Sequence, residues 1–430
     1  MLNESGGPYH SSSQSHEPRD KKQLYNILYD LKRSNSKGKE SQNPKSDELL
    51  AMMEHQRMGN GIESIIVKEK AYYYFMSSKR QIADVVKFCC SNDNISVLGI
   101  DTTFNLCDLW ITDSCYKNKR LIKNSTNNHP VFLGPLIFHF TKDDSTFNRF
   151  ILEMMAMDIG ISKLKKIGVD MEIAIYNGIK SIIPTVEQLY CVRHLQDRDG
   201  KKITELLAKS KSTLAEKKKA KSIILKDLYG EHNGPTVTLG LAEAQDRHQF
   251  NEVLQSLESK WNNLCPGFFQ WFQTKRKKTF ETSVICSARE GTNVTGMFYQ
   301  NDIESIHYVE KRDQCFKKES IVDVVKSLLD LALRQENDEV RALYGAGNYS
   351  IATEFSKFKV DSAKWHQWEE SRRREHVEKF RSYNPTPTDS FKKPKNSGRK
   401  LSFQHRDRKK EDPSIIIDLA SANNLSLIHI

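Results

Sequence analysis

Apolar positions along the first half of the chain follow two spacings, and the switches between them mark out the elements. Ile62 to Met76 is dense in β-branched and aromatic residues and reads as β structure. Ser77 to Cys89 instead sets Ile82, Val85, Val86 and Cys89 on one side of an amphipathic helix. Three strands are expected next: Ile95 to Asp101, a segment around Leu109 to Cys115, and Pro130 to Phe140. Short polar turns separate them, so they should form an antiparallel meander. The period then becomes helical, with Phe147, Phe150, Ile151, Met154, Met155 and Ile159 on one face, Asp144 or Ser145 as cap and Gly160 as stop. Lys165 to Asp170 is a short strand, Met171 to Pro184 a helix ended by proline, and Val186 to Val192 a further strand. A strand, helix, strand sequence implies a right-handed crossover and parallel pairing of the last two strands.

From Gln196 to about Glu290 the spacing is helical throughout, and this block reads as an all-helical insertion. Its aromatic residues Trp261, Phe268, Phe269, Trp271 and Phe272 fall at helical spacing and read first as a local core, second as a base-stacking platform. Gln300 to Arg334 is helical again, and Lys364 to Phe380 more weakly so. The expected organisation is a disordered leader over 1–45 with one helical island at Lys21 to Lys32, a lead-in over 46–92 and an α/β core over 93–195. The helical insertion follows over 196–296, a final core helix region over 297–335, a helical segment over 336–382 and a disordered basic tail over 383–430. Meander, helix, strand, helix, strand is the layout of a ribonuclease H-like core: mixed α/β, three antiparallel strands plus two parallel strands with helices. In that layout, acids at neighbouring strand ends can share divalent metal ions.

Composition narrows the partners. The longest apolar run, Val131 to Phe140, is far short of the roughly 20 residues that span a bilayer, so no membrane is expected. The N-terminus has no basic segment followed by an apolar one, which points to cytosol or nucleus. Eight irregularly spaced cysteines make no disulfide framework. Cys191 and His194 have the spacing of half a zinc site, with no second pair at matching spacing nearby. The formal net charge is +11, and the excess is clustered. Between Lys201 and Gly230 stand nine lysines against three acids, and Lys275, Arg276, Lys277 and Lys278 form a basic quartet. Such patches favour a polyanion, and the quartet is the expected phosphate contact.

Three acids stand where metal-dependent chemistry would need them. Asp101 ends the apolar run Ser96 to Ile100, Asp170 ends the strand at Val169, and Glu304 lies in the helix opening at Asn301. Each has an ordinary reading: turn residue, helix cap, and solvated helix surface. Glu172 and Asp302 are rival ligands of lower rank. His307, one turn beyond Glu304, reads as a surface histidine.

Taken together, the runs SVLGIDTTFNLCD (Ser96 to Asp108), GPLIFHF with TFNRF, VDMEIAIYNGIKSIIP (Val169 to Pro184) and CVRH (Cys191 to His194) resemble the transposase domain of Mutator-like elements. NDIES occupies the place of that family's final acidic helix, and the resemblance covers Ala71 to Asp313. It implies a DDE-type transposase that cleaves and joins DNA strands, with Asp101, Asp170 and Glu304 as catalytic acids holding two Mg²⁺ ions, or Mn²⁺ as substitute. It further implies double-stranded DNA as partner (transposon ends and target), homo-oligomeric assembly, work in the nucleus, and a supporting role for Cys191 and His194 in the site wall. No cysteine precedes Cys89 or follows Cys315, so the zinc modules common in that family have no counterpart here. The closing LSLIHI reads as a translated sequencing-adaptor end, and the resemblance is therefore to a partial copy. The alternative is a degenerate or domesticated copy that binds DNA or chromatin without catalysis.

Overall fold

The computed structural model of the protein describes residues 44–386, apart from 60, 69–70, 92–93, 171 and 234–235. The expected helical island at Lys21 to Lys32, and nearly all of the basic tail, lie outside the described residues.

A seven-stranded mixed sheet organises the fold. Its strands are β1 (Ile62–Lys68), β2 (Ala71–Met76), β3 (Leu98–Thr103), β4 (Trp110–Lys117), β6 (Val131–His139), β7 (Lys166–Val169) and β8 (Glu187–Tyr190); the short β5 (Leu121–Lys123) stands outside it. The spatial order is β1-β2-β6-β4-β3-β7-β8. Pairing is antiparallel from β1 to β3 and parallel along β3-β7-β8. The mixed α/β class and the meander-then-parallel order thus match expectation. The expected lead-in is not separate, since β1 and β2 extend the same sheet beside β6. β4 and β6 are buried along nearly their whole length, because helices cover both faces of the sheet.

On one face pack α2 (Lys79–Cys89), α3 (Asp144–Met157) and α4 (Ile173–Ile182), burying Val85, Phe88, Phe147, Phe150, Ile151 and Ile179 with Leu98 and Ile100. Ser78 and Gln81 cap α2 reciprocally, and Asp143, one residue before the expected cap, accepts the Thr146 amide to start α3. On the other face lie α11 (Asn301–Asp313) and α12 (Ile321–Leu343), burying Ile303, Ile306, Val324 and Leu328 against Ile111, Leu133 and Leu136. α12 runs through the boundary expected near 335, so that division cuts a continuous helix. A short α1 (Pro44–Arg57) precedes β1, while α13 (Ser362–Gln367) and α14 (Glu370–Ser382) follow the strand Tyr349–Ile351, which pairs with β5.

The block between β8 and α11 comprises α5 (Val192–Ala208), α6 (Leu214–Tyr229), α7 (Arg247–Ser256), α8 (Glu258–Leu264), α9 (Phe268–Lys275) and α10 (Lys277–Ser283). It is not helical throughout: Glu231–Asn233 and Thr236–Thr238 form a two-stranded hairpin. Its core gathers Phe268, Phe269 and Phe272 edge-on around the fully buried Trp261, so the aromatic cluster is interior and not a stacking surface. Gly168 on β7 joins the block to the sheet, since a Cβ there would stand 2.2 Å from the Phe298 ring that lies just before α11.

Candidate metal-binding acidic site

Register brings two of the expected acids together. In the parallel β3-β7 pair Leu98 is opposite Ile167 and Gly99 opposite Gly168, so continuing that register sets Asp101 level with Asp170. Asp101 accepts the Thr102 amide at 2.9 Å and keeps 22% of its side chain exposed. Burial raises its carboxyl to about 6; His307 opposes the rise, and the charges of Asp170 and Asp113 add to it. Asp170 is half-buried, and one of its oxygens accepts the Glu172 amide at 2.7 Å, which shapes the turn into α4. Its turn role is therefore real, and it does not exclude a ligand role for the other oxygen.

Glu304 lies in the first turn of α11 with 41% of its side chain exposed, 3.6 Å from Arg193. The rival acids are engaged elsewhere: Glu172 pairs with Lys142 at 3.2 Å and Asp302 with Lys117 at 3.4 Å.

The Cys191 and His194 pair sits at the start of α5, where it ties the site together. The buried Cys191 sulfur takes the Gln300 amide at 3.4 Å, and Gln300 in turn donates its side-chain amide to the Ile100 carbonyl at 2.9 Å. Gln300 immediately precedes α11, so these contacts seat the helix bearing Glu304 beside the strand bearing Asp101. Burial pushes the Cys191 thiol up, but the His194 imidazole and the amides of Gln300 and His194 bring it below its ordinary value. The same hydrogen bond raises His194 against the effect of burial, and the charges of Asp170 and Glu304 raise it further. His194 thus feels both acids at once.

Three further residues, outside the expected set of ligands, stand next to this site. Among the described residues, the one group of His, Cys, Asp and Glu side chains whose ligand atoms all lie within 4.8 Å of one another is Asp113, His307 and Glu310. Asp113, opposite Asp101 in the antiparallel β3-β4 pair, is fully buried on the central strand. His307 is buried, not a surface histidine, with Nε2 3.1 Å from Asp113 and Nδ1 3.8 Å from Asp101. Glu310 is buried one turn further, and burial together with Asp113 pushes its carboxyl well above the usual range. The signal was present in the spacing, since Ile303, Ile306, His307 and Glu310 form an i, i+3, i+4, i+7 stripe on the core face of α11. Asp113 carried no such signal, because an acid inside a strand reads as outward-facing until its neighbours are known.

The basic quartet divides at the junction of α9 and α10. Arg276 is committed inward, donating to buried Asp199 at 2.6 Å and lying over the Trp271 ring, and Lys277 stands 3.8 Å from Glu281. Lys275 and Lys278 face solvent. A groove of about 690 Å³ beside α5 and α6 carries four more lysines, Lys201, Lys218, Lys221 and Lys226. No helix among the described residues is long and apolar enough to cross a membrane.

A scan of the chain against protein-family models finds no match, and a search of curated proteins finds none either.

Proposed function

We propose that the protein is a DDE-type transposase built on a ribonuclease H-like core, cleaving and transferring DNA strands with divalent metal ions at Asp101, Asp170 and Glu304. The observation that carries this reading is the level placement of Asp101 on β3 and Asp170 just past the end of the adjacent parallel β7, with His194 feeling both Asp170 and Glu304. The donor set fits Mg²⁺: all three ligands are hard carboxylate oxygens, and the charge of Asp170 adds to the rise that burial imposes on Asp101, a repulsion that a divalent cation relieves. Bound metal supplies Lewis-acid activation of the attacking oxygen and charge stabilisation at the leaving oxygen of a phosphodiester. The chain's own part is to hold the carboxylates in place. β3 and β7 fix two of them by register, and the Cys191–Gln300–Ile100 contacts seat the third on α11. Arg193, 3.6 Å from Glu304, offers a cation beside the acids for a DNA phosphate, and the lysine-lined groove with Lys275 and Lys278 extends the footprint. Double-stranded DNA is the partner on this reading, with the nucleus as compartment and a homo-oligomer holding paired ends.

The test is nicking of supercoiled plasmid by the full chain in Mg²⁺ or Mn²⁺, beside Asp101→Asn, Asp170→Asn and Glu304→Gln. The expected result is activity in the parent and loss in each variant, with salt-sensitive DNA binding retained. Activity surviving in any variant removes that residue from the site. A folded parent that binds DNA and never nicks it replaces the enzyme with the domesticated, DNA-binding reading.

A further inference from the structure

Asp113, His307 and Glu310 lie between α11 and the centre of the sheet, beneath Asp101. Two carboxylates there are almost completely buried, at 0% and 2% exposure. Among the described residues no lysine or arginine stands within salt-bridge distance of either. The oxygens of Asp113 and Glu310 receive no donor from the rest of the protein and reach only each other, and Nε2 of His307 lies near Asp113 but off the line a hydrogen bond requires. Thr103, two residues from Asp101 on the same strand face, and Gln314, the residue that caps the C-terminus of α11, also have buried and unpartnered side-chain atoms. Native interiors leave few such groups, and a concentration of them around convergent ligand atoms has the form of a cation site.

We infer that Asp113, His307 and Glu310 bind a divalent transition-metal ion, distinct from any held by Asp101, Asp170 and Glu304. The donor set is one imidazole nitrogen and two carboxylates, which suits Zn²⁺. Mg²⁺ fits poorly, because it prefers oxygen ligands and retains several waters that a site this enclosed does not accommodate. A cation would satisfy the orphaned oxygens and neutralise the paired carboxylates. The site also has a consequence for its neighbour: metal on Nε2 leaves the His307 proton on Nδ1, the nitrogen facing Asp101, and so orients that carboxylate. Metal binding at this site does not depend on the transposase reading.

The probe is Zn²⁺ alone, with metal per chain measured after dialysis against a weak chelating resin. The protein used is the full chain carrying Asp170→Asn and Glu304→Gln, which disables the other acidic site. About one Zn²⁺ per chain should remain, together with a rise in the melting temperature. Adding Glu310→Gln, isosteric and uncharged, should weaken retention at least about tenfold, and His307→Asn should do the same and abolish the nitrogen-ligand signature of a Co²⁺-substituted sample. Absence of stoichiometric Zn²⁺ from folded protein overturns the inference, the two carboxylates then sharing a proton instead. Equal retention by the Glu310→Gln protein overturns it as well.

Discussion

Two clusters of ionisable groups lie inside this molecule, equally hidden from solvent and opposite in electrical character. In the first, Arg120 joins Asp84 at 2.5 Å and Glu339 at 3.0 Å, Arg381 reaches Glu339 at 2.8 Å, and Arg80 reaches Glu336 at 3.2 Å. Asn118 and Tyr116 donate to the same carboxylates. Burial alone would raise Glu339, but Arg120, Arg80 and Arg381 bring it down to about 2. In the second, burial and the neighbouring Asp113 move the Glu310 carboxyl well above the usual range, and the charge of Lys311 opposes this without reversing it. Burial is common to both, so the partners decide the direction. The first cluster is complete and locks α2, the β4-β5 turn, α12 and α14 together. The second has no lysine or arginine paired with its carboxylates among the described residues, and it lies next to the acids proposed for catalysis.

That contrast can be broken most directly by removing one partner from each cluster in metal-free buffer. Arg120→Met removes the buried guanidinium shared by Asp84 and Glu339, leaving Arg80 and Arg381 beside them, and should cost about 3 kcal/mol in urea unfolding. Glu310→Gln removes a carboxyl whose charged form burial and Asp113 disfavour, and should not lower stability. Equal losses in the two would mean that the clusters are alike.

A pH series sharpens the same comparison. Glu339 is held near 2 against about 4.3 in an unfolded chain, so its contribution is present above about 4.3 and is lost as pH falls through 2. Asp101 has the opposite sign: raised to about 6 from about 3.9, its contribution is present below 3.9 and lost as pH rises through 6. In chelator, Asp101→Asn should therefore stabilise the protein at pH 8 by about 1–3 kcal/mol and have little effect near pH 4. Mg²⁺ should close that gap, and a variant less stable than the parent at pH 8 would reverse the sign argued here.

The smallest effect separates outward from inward basic residues. Lys275→Gln with Lys278→Gln should lower the salt slope of DNA binding by up to about 2 while leaving stability unchanged. Arg276→Gln should do the reverse, because it strands buried Asp199. A slope that does not respond to the lysine pair takes them out of the footprint.

Much of this layout was legible from spacing. The strand runs ending near Asp101 and Asp170, the amphipathic helix over Ser77 to Cys89 and the aromatic core around Trp261 follow local periodicity, and periodicity survives folding because each element buries one face. The hairpin at Glu231–Asn233 was missed, since strands of three residues leave no repeat to detect. Glu304 was legible as a helix residue, whereas His307 and Glu310 on the buried stripe of the same helix were passed over in favour of their exposed neighbour.

Local pattern was enough to specify most of the strands and helices and the excess of positive charge, because each depends on residues close together in the chain. Which carboxylates meet was decided by register and packing. Asp101 faces Asp113 through one antiparallel pair, stands level with Asp170 through one parallel pair, and receives His307 from a helix some two hundred residues away. Those pairings form only when the sheet closes and α11 docks upon it, so no stretch of sequence carries them alone.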